Sequence, residues 1–320
     1  MDTKLIVSSS PHVKMKDRIS GIMLDVIIAL VPAMAAGVYY FGMPALLVIL
    51  TSVASCVLSE YVYECITKKP KTVKDLSAVV TGVLLALTLP PTTPLWMVVI
   101  GGAFAIVIVK QLYGGLGKNF MNPALAARCF MVVAWAGVMT TYTMPFVDTV
   151  TTATPLGVLK GTTEGVLPGM MDALFGNKAG CIGETSGFAL IIGFLYLLIN
   201  RVVSWKIPFA YIASFAVLMY FFGNNTTGES QLYYTLMHIF TGGLLLGAFF
   251  MATDYVTTPN TGIGMIIFGI GCGILTFVIR VFGGYPEGVS FAIILMNIAT
   301  PLIERFTIPK TFGEVKKHGK

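Results

Sequence analysis

The sequence predicts an all-α polytopic membrane protein of about ten transmembrane helices in two inverted five-helix repeats. Three observations point there. Only 11% of the 320 residues are charged and 56% are hydrophobic, whereas soluble domains carry about 25% charged residues. Ten apolar runs approach the roughly 20 residues a helix needs to cross a bilayer. The order of four short motifs in the first half recurs in the second. Residues 1–20 are polar and basic, so no cleavable leader is expected. The formal charge of +6 sits in short loops, which reads as orientation in a lipid bilayer and excludes nucleic acid as the partner. Five cysteines are scattered without a Cys-x-x-Cys pair, which argues against a metal cluster or disulfide framework.

In chain order, residues 1–20 form a cytoplasmic N-terminal segment. Transmembrane repeat 1 covers 21–139, with runs at 21–40, 44–66, 75–90, 94–112 and 121–139. The third and fourth runs meet at Pro90-Pro91-Thr92-Thr93-Pro94, which no helix crosses. An external loop occupies 140–184. Repeat 2 covers 185–304, with runs at 185–200, 206–222, 233–252, 261–282 and 288–304, and 305–320 is a cytoplasmic tail.

Orientation follows from the basic residues. Lys4, Lys14, Lys16 and Arg18 precede the first run. Lys68, Lys69, Lys71 and Lys74 follow the second, Lys110 and Lys118 the fourth, Arg201 and Lys206 the sixth, and Arg305, Lys310, Lys316, Lys317 and Lys320 the last. With ten crossings, all lie on one side. The alternate loops 41–43, 91–93, 223–232 and 283–287 hold no Lys or Arg. Both termini are therefore expected in the cytoplasm.

The repeat reads Thr81-Gly82-x-Leu84-Leu85, Thr92-Thr93-Pro94, Tyr113-Gly114-Gly115 and Met121-Asn122-x-Ala124. Its second copy is Thr241-Gly242-x-Leu244-Leu245, Thr257-Thr258-Pro259, Phe282-Gly283-Gly284 and Met296-Asn297-x-Ala299. Five crossings is an odd number, so the halves run in opposite directions, as in many transporters and channels.

Ionisable groups inside apolar runs are functional candidates by default. Asp25 and Asp254 are candidates for an ion pathway. Asp254 is flanked by Thr253, Thr257 and Thr258, an oxygen set suited to a hard cation or equally to a capped helix end. Arg128, Arg280 and Glu287 also qualify; for Asp25 and Arg128 the alternatives are a place near a helix end, or pairing with one another or with a partner subunit. His238 reads as a satisfied packing residue. Gly114-Gly115-Leu116-Gly117-Lys118-Asn119 fails the phosphate-loop pattern and reads as a tight turn. The external loop holds Asp148-Thr149-Val150-Thr151-Thr152-Ala153-Thr154-Pro155, hydroxyl-rich and free of His, Cys, Lys and Arg. Pro155 drives Thr154 into extended backbone, presenting its side chain.

Here the residues resemble a known family. Asp148-x-x-Thr151-Thr152-Ala153-Thr154 resembles the Asp-x-x-Ser/Thr-Gly-Ala-Thr signature at which a flavin transferase attaches FMN to threonine through a phosphoester, with Thr152 where the family has Gly. The run from Tyr113 to Ala124, Phe250-Met251-Ala252-Thr253-Asp254, and Tyr285-Pro286-Glu287-Gly288 followed by Met296-Asn297 resemble further motifs of the same family. It comprises the D subunit of the Rnf complex and the B subunit of the Na⁺-pumping NADH:quinone reductase. The short segment before the first run favours the Rnf branch.

The resemblance implies covalent FMN on Thr154, with Asp148, Thr151 and Ala153 as the rest of the attachment motif and no catalytic or metal-binding residue of the chain's own. It implies a second, non-covalent flavin, riboflavin, in the membrane part, with no ligand assigned. It implies electron relay between ferredoxin and NAD⁺ coupled to Na⁺ or H⁺ movement, and a place in the cell membrane. The implied partners are the other Rnf subunits, the flavin transferase during maturation, and lipid. Lys160 and Lys178 share the loop, as supports for an anionic flavin or as solvated surface. The alternative reading is an inverted-repeat channel or transporter for a small solute with no redox role.

Overall fold

The computed structural model describes residues 19–69, 71–146, 151–152, 154–163, 165, 167–225, 228–284 and 287–309. Asp148 and Ala153 lie outside the described residues, as do nearly all of the N-terminal segment and most of the tail. The described chain is mostly helical. In the first half come α1 (Ile19–Phe41), α2 (Met43–Thr67), α3 (Ser77–Leu87), α4 (Leu95–Ala103) running on as a π-helix (Phe104–Gln111), α5 (Pro123–Ala134) and α6 (Ala136–Met139). The connecting segment holds β1 (Tyr142–Thr143), β2 (Thr151–Thr152), α7 (Pro155–Leu159) and α8 (Met170–Phe175). In the second half come α9 (Gly187–Ile199), α10 (Lys206–Phe222), α11 (Gln231–Phe240), α12 (Leu244–Leu246) running on as a π-helix (Gly247–Met251), α13 (Gly262–Phe282) and α14 (Val289–Thr307).

The helices begin where the sequence supplies caps. Asn122 Oδ1 accepts from Ala124 N–H (3.0 Å) and Leu125 N–H (3.3 Å), with Pro123 at the first helical position. Ser186, Ser230 and Thr261 do the same for α9, α11 and α13. The turn after α3 is the prolyl hairpin, where Thr93 N–H donates to Pro90 O at 3.2 Å. The glycine run after the first π-helix is the expected tight turn, with Gly114, Gly115 and Gly117 all at positive φ.

All ten apolar runs carry helix, but helix length alone accounts for fewer crossings. α1, α2, α13 and α14 are long and apolar enough to cross a bilayer. A fifth crossing arises if α11 and Leu244–Met251, bent by 62° to each other, form one span. The other apolar helices have 10–17 residues, at most about 26 Å of helix against roughly 30 Å of hydrocarbon. They are short because breakers stop them: Pro90-Pro91 after α3, and Trp135 at φ −134°, ψ 52° after α5.

The packing has a repeated plan. In the first half α2 lies between α3 and α4; in the second α10 packs on α13 and also meets α11. α1 and α9 pack on each other, and α5 joins α14 across the halves. α1 and α9 run antiparallel: Gly37 near the end of α1 meets Ile182 just before α9, and Ala29 meets Gly193 further along. Small residues permit these approaches; a Cβ on Gly82 would lie 2.7 Å from Val53 Cα.

One expected loop residue is buried instead. Lys110 sits inside the π-helix, 2% exposed, with Nζ 2.7 Å from Glu60 Oε1 and 2.6 Å from Ser77 Oγ. Gln111 Nε2 donates to the same Glu60 oxygen at 2.7 Å. A lysine one turn from the end of an apolar run looks like an orientation marker in sequence; a buried acid on α2 converts it into a structural ion pair.

Candidate functional site

Polar side chains gather at the two ends of the α1–α9 pair. At the end where α1 finishes and α9 starts lies Thr154. Its backbone is extended (φ −68°, ψ 147°), as the following proline demands. The hydroxyl is not simply presented, however. Thr154 Oγ1 accepts from Gly157 N–H at 3.1 Å and caps α7, and the residue is half-buried. A Cβ on Gly157 would stand 2.7 Å from Thr163 Oγ1, 3.3 Å from Thr154 Oγ1 and 3.6 Å from Thr162 Oγ1, so three hydroxyls converge on a bare Cα. A phosphoester carried there would take its ester oxygen from Thr154 and could accept from Thr163, with Gly157 leaving the room. Thr162 already donates to Gly157 O at 3.0 Å. The neighbouring Thr151 pairs through β2 with Thr143.

Against Thr154 lies a small cavity of about 20 Å³, whose walls include Tyr142, Leu156, Glu184, Gly242 and Glu287. One wall is the break between α11 and α12. Gly242 turns the chain at φ +74°, and both exposed helix ends are capped by opposite charge. Arg280 donates to His238 O and to Thr241 O (3.4 Å) and stacks 5.0 Å from the Phe215 ring. Lys178 donates to Phe240 O and to Ala173 O (2.8 Å). On the amide side, Gly243 N–H donates to Glu287 Oε1 at 3.0 Å. Arg128 Nη2 stands 3.5 Å from Glu287 Oε2 and 3.5 Å from Cys181 Sγ. Cys181 Sγ, a Glu184 oxygen and a Glu287 oxygen lie within 4.8 Å of one another.

Burial shapes the acidity of this connecting segment. It pushes the Glu184 carboxyl well above its ordinary 4.5, with the Glu287 carboxylate adding to the rise. It raises the Cys181 thiol and the Tyr142 phenol, and lowers the Lys178 ammonium to about 8. Lys160 is lowered by partial burial and donates to Gly283 O. Lys178 is thus buried and hydrogen-bonded rather than solvated surface.

At the opposite end is a larger, open-mouthed cavity of about 80 Å³. Ser77, Thr81, Lys110, Asn119, Asn122 and Asp254 supply its polar wall, and Leu84, Leu197, Val202 and Phe250 its apolar one. Two of its wall residues, Lys110 and Phe250, come from the two π-helical stretches, a conformation that recurs at functional sites. Asp254 is both a wall of this cavity and the cap of its own turn, accepting from Thr257 Oγ1 (3.1 Å) and Val256 N–H (3.4 Å). The two repeated Asn residues meet here. With its amide oriented to suit its neighbours, Asn297 accepts from Asn122 N–H (3.1 Å) and donates to Thr257 O (3.3 Å), while Asn122 Nδ2 donates to Met251 O.

Asp25 and Arg128 do not pair. Asp25 accepts from Tyr196 OH at 3.1 Å on α9, and Arg128 turns to Glu287. His238 is buried against Tyr234, but among the described residues neither ring nitrogen has a hydrogen-bond partner, so it is not the satisfied residue expected. Sequence reasoning missed Glu184, Glu60 and Lys110 as buried polar groups. Glu184 left one signal, a lone acid directly ahead of an apolar run.

Residues 6–313 match the model of the NQR2, RnfD, RnfE family, and the chain belongs to that family. It is 50% identical over its whole length to the D subunit of the Na(+)-translocating ferredoxin:NAD(+) oxidoreductase complex of Acetobacterium woodii, covering 99% of that protein. It is 46% identical to the D subunit of the proton-translocating ferredoxin:NAD(+) oxidoreductase complex of Clostridium ljungdahlii, with 96% of each chain covered. It is 38% identical to the D subunit of the ion-translocating oxidoreductase complex of Stutzerimonas stutzeri, with 93% of each covered. With its apolar helices, this membership makes it a multi-pass membrane protein.

Proposed function

We propose that this chain is a membrane subunit of an Rnf-type complex that relays electrons between ferredoxin and NAD⁺ and couples them to Na⁺ or H⁺ translocation across the cell membrane. FMN held on Thr154 by a phosphoester supplies the redox chemistry that no side chain here provides. The observation that carries this reading is the cradle at Gly157, where Thr154, Thr162 and Thr163 hydroxyls surround the space a Cβ would fill. Thr154 bears the ester, Asp148, Thr151 and Ala153 complete the sequence a flavin transferase reads, and Thr163 holds phosphoryl oxygen.

The cavity at the other end suits the second flavin, riboflavin. An isoalloxazine has apolar faces and a polar edge, and this cavity sets Leu84 and Phe250 against Asn119, Asn122 and Ser77. Asp25 and Asp254 flank that end as ion-pathway candidates. The packing of α2 with α4 and of α10 with α13 supports ten crossings as two inverted five-helix repeats, with the short helices completed by non-helical backbone against protein. The basic loops then put both termini in the cytoplasm and Thr154 outside.

The test is in-gel flavin fluorescence of the denatured protein, made alongside a flavin transferase and the other components of the complex. A fluorescent band lost in Thr154→Ala supports the reading. A dark wild-type band sinks it in favour of a solute channel with no redox role.

A further inference from the structure

Two carboxyls stand close together on the cavity beside Thr154, those of Glu184 and Glu287. Glu184 is 7% exposed. Its Oε2 accepts a long bond from Cys181 N–H (3.4 Å), and among the described residues no N–H donates to its Oε1, which lies against Gly243 beside Glu287. Glu287 is satisfied by Gly243 N–H and by Arg128. The other two cations nearby are committed elsewhere: Arg280 and Lys178 donate to the carbonyl end of α11. Two carboxylates within 4.8 Å of one another in a buried site, only one of them in an ion pair among the described residues, repel each other at a cost. Two adjacent carboxyls avoid that cost by holding a proton in common. A metal ion among Cys181, Glu184 and Glu287 would be pressed against Arg128, 3.5 Å from both Sγ and Oε2; a proton meets no such repulsion, because it turns one carboxylate into a neutral donor.

We propose that Glu184 and Glu287 form a one-proton carboxyl pair on the cavity beside Thr154, and that its proton sets how readily a flavin on Thr154 accepts an electron. The second half rests on the flavin reading above; the first does not. Only an O–H bond is made or broken: a proton from water adds to one carboxylate and takes the pair from −2 to −1, and it returns to water as pH rises. The groups facing the pair among the described residues are Arg128 and Cys129 of α5, Tyr142 of β1, Lys178 and Cys181 before α9, and Arg280 of α13. Proton loss puts a negative charge beside the flavin, so the flavin's midpoint potential falls with rising pH by more than its own protonation accounts for.

Two measurements on the purified complex test this separately. The first is infrared titration in H₂O and D₂O. A protonated-carboxyl band should appear in wild type and in Thr154→Ala, which has no flavin, and should vanish in both Glu184→Gln and Glu287→Gln. Glu287→Gln retains an acceptor for Gly243 N–H, so the band's loss is read in a second, independent variant. No such band in wild type overturns the pair, as does its removal by added Na⁺, which would make this a sodium site. The second is the flavin midpoint potential against pH, poised with dithionite, in wild type and Glu184→Gln. A steeper slope in wild type is expected; parallel slopes overturn the coupling. A fluorescent flavin band in each variant confirms that cofactor and fold are retained. Its absence from wild type refutes the flavin reading and leaves the infrared result standing.

Discussion

The dipeptide Thr-Gly occurs at corresponding places in the two halves and folds in two ways. Thr81-Gly82 lies inside the continuous helix α3, with Thr81 Oγ1 bonded back to Ser77 O and Ser52 Oγ donating to Gly82 O. Thr241-Gly242 breaks the chain between α11 and α12, with a 62° bend. The local difference is one residue: Val83 follows the first pair and Gly243 the second. The tertiary difference is larger. Arg280, Lys178 and Glu287 wait at the second site to cap the helix ends that a break exposes. A break inside a membrane body stands only when its freed amides and carbonyls find partners, so the same motif is a packing surface in one half and a site wall in the other.

The largest effects should come from removing charges that hold each half. Lys110→Met leaves Glu60 buried without its cation, and Arg280→Met leaves the carbonyls of His238 and Thr241 bare. Each is expected to cost about 3–5 kcal/mol, the penalty for breaking a buried charged interaction, read as lost thermal stability in detergent. If Arg280→Met is neutral, the cap is not what maintains the break.

The glycines separate the two uses of the motif. Gly82→Ala puts a Cβ 2.7 Å from Val53 Cα, so α2 and α3 must part, at about 1–3 kcal/mol. Gly242→Ala forces a Cβ into the left-handed region at φ +74° and toward Leu156, costing roughly 1–2 kcal/mol. Gly242→Ala should disturb flavin loading at Thr154 and Gly82→Ala should not; equal loading in both would deny the break any part in the site.

A further effect depends on pH. The Glu184 carboxyl is raised by burial, so the folded protein keeps a proton that the unfolded chain gives up near 4.5. The stability that proton contributes is complete below that value and is lost as pH rises toward about 8. Melting temperature should decline across that window and decline less in Glu184→Gln. The smallest effect on stability is Thr154→Ala: one cap hydrogen bond of a five-residue helix, about 1 kcal/mol; under the FMN attachment proposed above, the same variant loses flavin fluorescence completely.

The membrane class, the placement of helix in all ten runs, the prolyl hairpin, the glycine turn and the extended backbone at Thr154 were legible in the sequence. Each rests on composition or on a rule about neighbouring residues: proline restricting the residue before it, glycine reaching positive φ, a capping residue at a helix start. Asp25 and Asp254 were visible as acids in apolar surroundings, but not their partners, Tyr196 and the Thr257 turn. Lys110 was misread because its partner, Glu60, stands 50 residues away on another helix. His238 was expected to be satisfied because burial usually brings a partner; among the described residues its ring meets the Tyr234 ring and no hydrogen-bond partner.

By itself the sequence determined what kind of solvent this chain folds in, which ten runs turn helical, and which hydroxyl stands before Pro155, because these follow from hydropathy and local backbone geometry. Only the tertiary structure decided which half breaks at Thr-Gly, which cations are spent on helix ends, and that Glu184 and Glu287, 103 positions apart in the chain, share one buried pocket beside Thr154. Charge balance in a buried site is set by which side chains converge there, and that convergence is written in the packing of distant helices rather than in any local stretch of chain.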